Sequence, residues 1–163
     1  MIQKAARRES FEQEVVAHLD QLWQTALWLT RNENDATKLI QDLYFIAYRL
    51  WEQWNYFGDT RIWMFKVLVR LYTNRYHRDT QTSIANSNGY ISETIIGDDA
   101  LAGIFAELPE EIRLTLVLSL VGKFSYNEIA DIAGVRTSMV RHNIYYGYIM
   151  LEKQIAKFVS ADY

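Results

Sequence analysis

Residues 122–148 read GKFSYNEIADIAGVRTSMVRHNIYYGY, and this stretch decides the fold class. It has the signature of two short helices joined by a tight turn. Ser125 lies three residues before Glu128, the spacing at which a hydroxyl and a carboxylate satisfy each other's backbone N–H groups at a helix start. Ile129, Ala130, Ile132 and Ala133 give this helix an apolar face. Gly134 sits where the chain must reverse, and glycine tolerates the positive φ of such a reversal. Val140, Ile144, Gly147 and Leu151 then recur at helical spacing. Helix, glycine turn and helix make a helix-turn-helix, a motif whose second helix enters a DNA major groove. The same pattern also suits an antiparallel helical hairpin inside an all-α core.

The rest of the chain favours helices throughout. Among 163 residues there are one Pro and seven Gly, too little turn chemistry for a multi-stranded sheet. Half the residues are hydrophobic, enough for one domain or two small ones. Five Trp, eleven Tyr and seven Phe require burial or a stacking partner. The absence of Cys removes disulfides, iron–sulfur clusters and thiolate zinc sites, and suits a cytoplasmic location. His18, His77 and His142 lack the spacing of a metal site. With no Gly-rich phosphate loop and no nucleophile motif, neither an enzyme nor a cofactor is expected. No apolar run approaches the ~20 residues of a membrane span. The opening MIQKAARRES lacks the apolar stretch of a secretion signal, so no membrane insertion is expected.

The formal net charge is −3, which argues against nonspecific coating of nucleic acid. Its distribution is uneven. Residues 1–78 hold 11 Lys/Arg against 9 Asp/Glu. Residues 79–105 hold no Lys/Arg and 4 Asp/Glu, and residues 106–163 hold 6 and 7. The acidic middle coincides with DTQTSIANSNGYISETIIG, residues 79–97, whose Ser, Thr, Asn and Asn88-Gly89 turn signal read as a flexible linker. It divides a helical unit over 8–78 from a second over 98–158.

In the first unit, Ser10 with Gln13 reads as the start of one long helix with an apolar stripe of Phe11, Val15, Leu19, Leu22, Trp23 and Ala26. After the polar gap Arg31–Asn34, Asn34 reads as a cap for a helix burying Ala36, Leu39, Ile40, Leu43, Tyr44, Ala47 and Leu50. Thr60 reads as the cap of a third helix ending near Arg78. In the second unit Pro109, followed by Glu110 and Glu111, fits a helix N-terminus. Trp23, Trp28, Trp51 and Trp63 read mainly as packing, and Lys4, Arg7 and Arg8 as a solvated terminus.

Taken together, NDATKLIQDLYFIAYRLWEQW, IWMFKVLVRLYTNRYHRD, ELPEEIRLTLVLSL and FSYNEIADIAGV, in this order and flanking a linker, resemble the extracytoplasmic-function (ECF) group of bacterial sigma factors. The resemblance spans about Phe11–Asp79 and Glu107–Ile155. It implies an all-α fold of two small helical domains, region 2 and a region 4 helix-turn-helix. It implies core RNA polymerase (beta-prime clamp and beta flap), promoter DNA and an anti-sigma factor as partners. Carried over by position, Asp35, Leu39, Gln41, Asp42, Tyr44 and Arg49 would face the polymerase. Trp54, Tyr56 and Phe57, beside Arg61, would meet unpaired bases of the −10 element, a task for aromatic platforms and nearby cations. Arg70, Asn74, Arg75 and Arg78 would line the promoter-reading helix. Arg136, Thr137, Ser138, Arg141, His142 and Tyr145 would approach the −35 element.

The chain departs from the family pattern at several points. Thr37 and Lys38 stand where two acids are usual, Arg70 replaces an Asn, and Arg136 replaces a Pro. Asn143, Tyr146 and Tyr148 occupy recognition-helix positions where the family carries Arg, which reads as a degenerate recognition helix with a weakened phosphate-binding term. Three readings follow: a working sigma factor, a sigma-like decoy or antagonist whose region 4 binds protein, and an unrelated helical interaction protein.

Overall fold

The computed structural model describes residues 1–54, 58–79 and 99–161. The described residues are helical with short connections: α1 (Ile2–Val16), α2 (Leu19–Thr30), α3 (Glu33–Trp54), α4 (Thr60–Asp79), α5 (Asp99–Ala106), α6 (Glu110–Leu120), α7 (Tyr126–Ala133) and α8 (Thr137–Ala161). Residues 80–98, nearly all of the stretch read as a linker, lie outside the described residues, as do Tyr56 and Phe57.

The all-α expectation holds, while three helix starts move. The first helix begins at Ile2, and Ser10 lies in its interior with no capping role. Residues 3–9 contain Gln, Lys, Ala, Arg and Glu, good helix formers that give the chain no reason to stop. Arg7 is not merely solvated: it donates to the Tyr48 carbonyl at 3.0 Å and pairs with Glu52, tying α1 to α3. The apolar stripe is then split by a break at Ala17–His18. The break lets Phe11 lie edge-on against Tyr44, Tyr48 and Trp51 of α3, while α2 packs on α3, α4 and α6. The cap of α3 comes from two residues before the expected one, and that of α4 from the residue before it. Asn32 Oδ1 accepts from the Asp35 N–H at 3.0 Å, and Asp59 Oδ1 from the Ile62 N–H at 3.1 Å. A capping side chain must reach the N–H three residues on, which Asn34 and Thr60, already inside their helices, cannot do.

The helix-turn-helix forms from the signals that predict it. Ser125 Oγ accepts from the Glu128 N–H, and Glu128 Oε2 accepts from the Ser125 N–H at 2.7 Å. Gly134 ends α7 at φ +68°. Gly147 lets α8 approach α6 closely, since a Cβ there would lie 2.7 Å from Leu116 Cδ1. Leu116, Ile129, Val140 and Ile144 close this part of the core. Ser125→Ala removes one half of a reciprocal cap and is expected to cost about 1 kcal/mol, read as a lowered midpoint in urea unfolding with an unchanged m-value.

The C-terminal helices do not stand apart from the N-terminal ones. α7 packs on α4, and α6 on α2. Phe65 of α4 meets Phe124 at 4.7 Å, and Trp28 of α2 meets Phe105 of α5 at 5.1 Å, both edge-on. Lys66 pairs with Asp131 at 2.8 Å across the same boundary. Deeper in, the Tyr72 hydroxyl donates to the Leu29 carbonyl and accepts from Arg113 of α6. Burial pushes the Tyr72 phenol above its ordinary pKa, so it stays a neutral donor in this relay.

Candidate functional site

Three surfaces collect the residues singled out in the sequence. The first is the outer face of α3. Gln41, Asp42, Tyr44 and Arg49 are exposed, and Asp35 is partly so. Leu39 is an exception. It is 1 % exposed, so it supports this face from beneath and cannot touch a partner. Asp42 pairs with Arg75 of α4 at 3.1 Å, joining a residue read as polymerase-facing to one read as DNA-facing. Tyr44 rests its ring against Phe11.

Phe45 belongs to this face and escaped the sequence reading. It is 61 % exposed, and the Arg49 guanidinium lies 5.6 Å from its ring centre. The signal was present. Phe45 falls four residues after Gln41 and four before Arg49, so it shares their helix face. Flanked by polar residues on one face, Phe45 is not part of the core.

The second surface surrounds α4. Arg70 and Asn74 are exposed and border a cleft of about 700 Å³ between α3, α4 and α7, which Ile46, Leu50, Lys66 and Asp131 also line. The helix position of Trp54 is described but not its side chain, and the same holds for Arg78. Arg61 does not face outward. Its Nε donates to Gln21 Oε1 at 2.9 Å, it donates to the Gly122 carbonyl, and its guanidinium carbon sits 3.9 Å over the Phe124 ring. Gln21 itself donates to the Gly122 carbonyl at 2.8 Å.

The third surface is α8. Ser138, Arg141, His142 and Tyr145 are all exposed, and their spacing of three, one and three residues sets them in one stripe. Arg136 is exposed at the entry to the helix, and its carbonyl accepts from the Met139 N–H. Thr137 donates to Asn127 Oδ1 at 3.2 Å and fixes the start of α8 to α7. Tyr146 and Tyr148 are exposed beside the stripe, with Tyr146 4.4 Å from His142 and 5.4 Å from Tyr145, ring to ring.

Asn143 corrects the sequence reading. It is not one of three surface positions lacking Arg. It is 6 % exposed and donates to Thr115 Oγ1 at 3.1 Å, and Thr115 in turn donates to the Glu111 carbonyl. A buried amide must be hydrogen-bonded, and this one satisfies the rule while joining α8 to α6. Of the three residues read as standing in place of Arg, Tyr146 and Tyr148 are therefore exposed and Asn143 is buried.

No protein-family model matches the chain. It is 24% identical over 169 residues to the ECF RNA polymerase sigma factor SigE of Mycolicibacterium smegmatis, across 95% of this chain. The chain spans 65% of the length of that relative. Its fold is that of two solved structures. One is the sigma factor RpoE of Bartonella quintana in complex with the anti-sigma factor NepR, with a TM-score of 0.76 at 16% identity over 91% of this chain and 98% of the other. The second is CnrH in complex with the cytosolic domain of CnrY, with a TM-score of 0.71 at 21% identity over 96% and 91%. No described helix is long and apolar enough to cross a membrane.

Proposed function

We infer that this chain is an ECF-type RNA polymerase sigma factor that binds core RNA polymerase and directs promoter-specific initiation, a reading supported by its likeness to SigE and by its fold. The observation that carries the reading is the exposed stripe Ser138–Arg141–His142–Tyr145 on α8, entered at Arg136, behind the capped and glycine-terminated α7. It puts two cations, a hydroxyl and an aromatic donor on the face that a helix-turn-helix presents to the major groove. The positive end of a 25-residue helix adds attraction for phosphate. Such a protein makes and breaks no covalent bond. Its work is recognition.

The roles divide along the chain. α1–α4, which contain the unit read over 8–78, serve as the polymerase-binding and −10 unit. α5–α8, which carry the unit read over 98–158, serve as the −35 unit. Gln41, Asp42, Phe45 and Arg49 form the polymerase-docking face, with Asp35 and Tyr44 at its margin. Thr37 and Lys38 make this face less acidic than the family pattern. Arg70, Asn74 and Arg75 follow the DNA strand along α4. Tyr146 and Tyr148 keep hydrogen-bonding capacity towards phosphate but no charge, so the recognition helix binds duplex less tightly than an Arg-bearing one. An anti-sigma factor is the expected inhibitor, and the cytoplasm the expected site of action. The decoy reading loses ground with the burial of Asn143, because the loss of charge on the exposed face is smaller than three residues.

In vitro transcription with sigma-free bacterial core polymerase on sheared genomic DNA tests the assignment. Transcripts that share one start-site motif are the expected result. Tight core binding without specific transcripts would replace this reading with the decoy. In the same assay Asp42→Lys is expected to weaken core binding about tenfold or more. Stability should change by under about 1 kcal/mol, since the Asp42–Arg75 pair is solvent-exposed. Unchanged core affinity would remove the α3 face from the docking surface.

A further inference from the structure

Three rings crowd the exposed side of α8. His142 and Tyr146, one turn apart, lie 4.4 Å ring to ring at a tilt of 46°, and Tyr145 meets Tyr146 edge-on at 5.4 Å. All three side chains are exposed. Rings four residues apart on a helix hold one another in place. The Tyr146 ring is therefore engaged by a neighbour on its own helix.

This contact gives the DNA-facing reading above, on which the inference rests, a further property. Tyr146 stands at a position read as Arg in the family pattern, so a permanent charge is missing there. His142 lies on the same patch and gains a charge when it binds a proton. Histidine is the side chain that does so between about pH 8 and pH 5. An imidazolium beside an aromatic face is favoured by the ring quadrupole. An imidazolium facing a phosphate donates a charge-assisted hydrogen bond. Both effects favour the protonated form.

Nothing inside the chain takes up that proton-bearing edge. On α8 the residues three and four positions from His142 are Ser138, Met139, Tyr145 and Tyr146, and Arg141 precedes it; none is an acid. α5, α6 and α7 pack on α8. On α7, Glu128 is engaged with the Ser125 N–H and Asp131 with Lys66. α6 carries Glu110, Glu111 and Arg113, and Arg113 turns to the Leu108 carbonyl and the Tyr72 hydroxyl. Among the described residues, side-chain hydrogen bonds from α8 to other elements run from Thr137, Asn143 and Gln154, and no hydrogen bond or ion pair involves His142.

We propose that His142, backed by the Tyr146 ring, is a proton-dependent phosphate contact of the recognition helix, so that the chain grips duplex DNA more tightly as pH falls. Tyr146 is a positioning residue that acts through its ring. The DNA-bound form holds more protons than the free form. By linkage, affinity rises with acidity and levels off once His142 is charged in the free chain as well.

Fluorescence anisotropy of a labelled mixed-sequence duplex, titrated with the full chain over a series of salt concentrations at about pH 8 and about pH 5.5, tests this. Affinity should rise about tenfold at the lower pH, the weight of one hydrogen bond to a charged group. The log–log salt dependence should steepen by about 0.9, one added phosphate contact. His142→Gln, polar but never charged, should abolish both changes. His142→Lys, charged throughout, should bind at the higher pH as tightly as the parent does at the lower. His18→Gln, at the start of α2, should keep the full response. Tyr146→Phe should retain the response and Tyr146→Ala should diminish it, because the ring and not the hydroxyl backs the imidazole. Equal affinity and salt dependence at both pH values in the parent, or a response that survives His142→Gln, would overturn the proposal and leave the −35 reading standing. An undiminished response in Tyr146→Ala would strike out the positioning role. Absence of duplex binding at either pH would remove the −35 reading and the proposal together.

Discussion

Asn143→Arg is expected to unfold the C-terminal helices rather than improve DNA binding. The residue is enclosed between α8 and α6, and its amide is the partner of Thr115. An Arg there forces a longer, charged side chain into an enclosed site and replaces the amide that donates to the Thr115 hydroxyl. Breaking buried polar pairs in this way costs about 3–5 kcal/mol, or roughly 10 °C in thermal midpoint for a chain of this length. Tyr146→Arg makes the contrast. Tyr146 is 43 % exposed beside His142 and Tyr145, so an Arg reaches solvent without burial. It is expected to leave the melting temperature within ~2 °C, raise duplex affinity, and steepen the log–log salt dependence by about 0.9. Calorimetry and a salt titration of duplex binding read both. A stable Asn143→Arg with raised affinity would mean that α8 is rotated from the orientation described above.

Phe45→Ala should weaken core-polymerase binding by about 2 kcal/mol, near thirtyfold, with no loss of stability. Its ring is mostly exposed, contacts Arg49, and lies in the same stripe as Gln41. Exposed aromatic side chains beside an Arg are the residues that dominate docking surfaces once desolvated. An isolated aromatic in water contributes little to folding, so truncation should not lower the thermal midpoint. Leu39→Ala is the matched control from the neighbouring turn. Leu39 is fully enclosed, and its truncation should cost about 2–5 kcal/mol of stability. Equilibrium binding to core polymerase, set against melting curves of both variants, distinguishes a docking residue from a packing residue. Equal binding by Phe45→Ala and the parent chain would move the polymerase contact off this face.

These contrasts mark where sequence reading succeeds. The α7–α8 motif was legible residue by residue. The Ser125–Glu128 box, the Gly134 reversal and the Val140–Ile144–Gly147–Leu151 seam all rest on interactions spanning three or four residues or on the backbone freedom of one. The stripe Ser138–Arg141–His142–Tyr145 was legible for the same reason. The caps of α3 and α4 were legible to within a residue or two, because Asn32 and Asn34, or Asp59 and Thr60, offer similar side chains and only the path of the chain selects between them; the start of α1 was not, because nothing local stops the helix before Ser10.

By itself, then, the sequence determined the all-α class, the helix-turn-helix and the identity of most surface candidates. All of these follow from helical periodicity and local hydrogen bonds. Only the tertiary structure decided which candidates are free to act. Leu39 is lost beneath α3, Asn143 is turned onto Thr115 28 residues away, and Arg61 is drawn onto Gly122 61 residues away. Such pairings depend on how α6 and α7 settle against α2 and α4, a matter of packing between distant segments that no local spacing encodes.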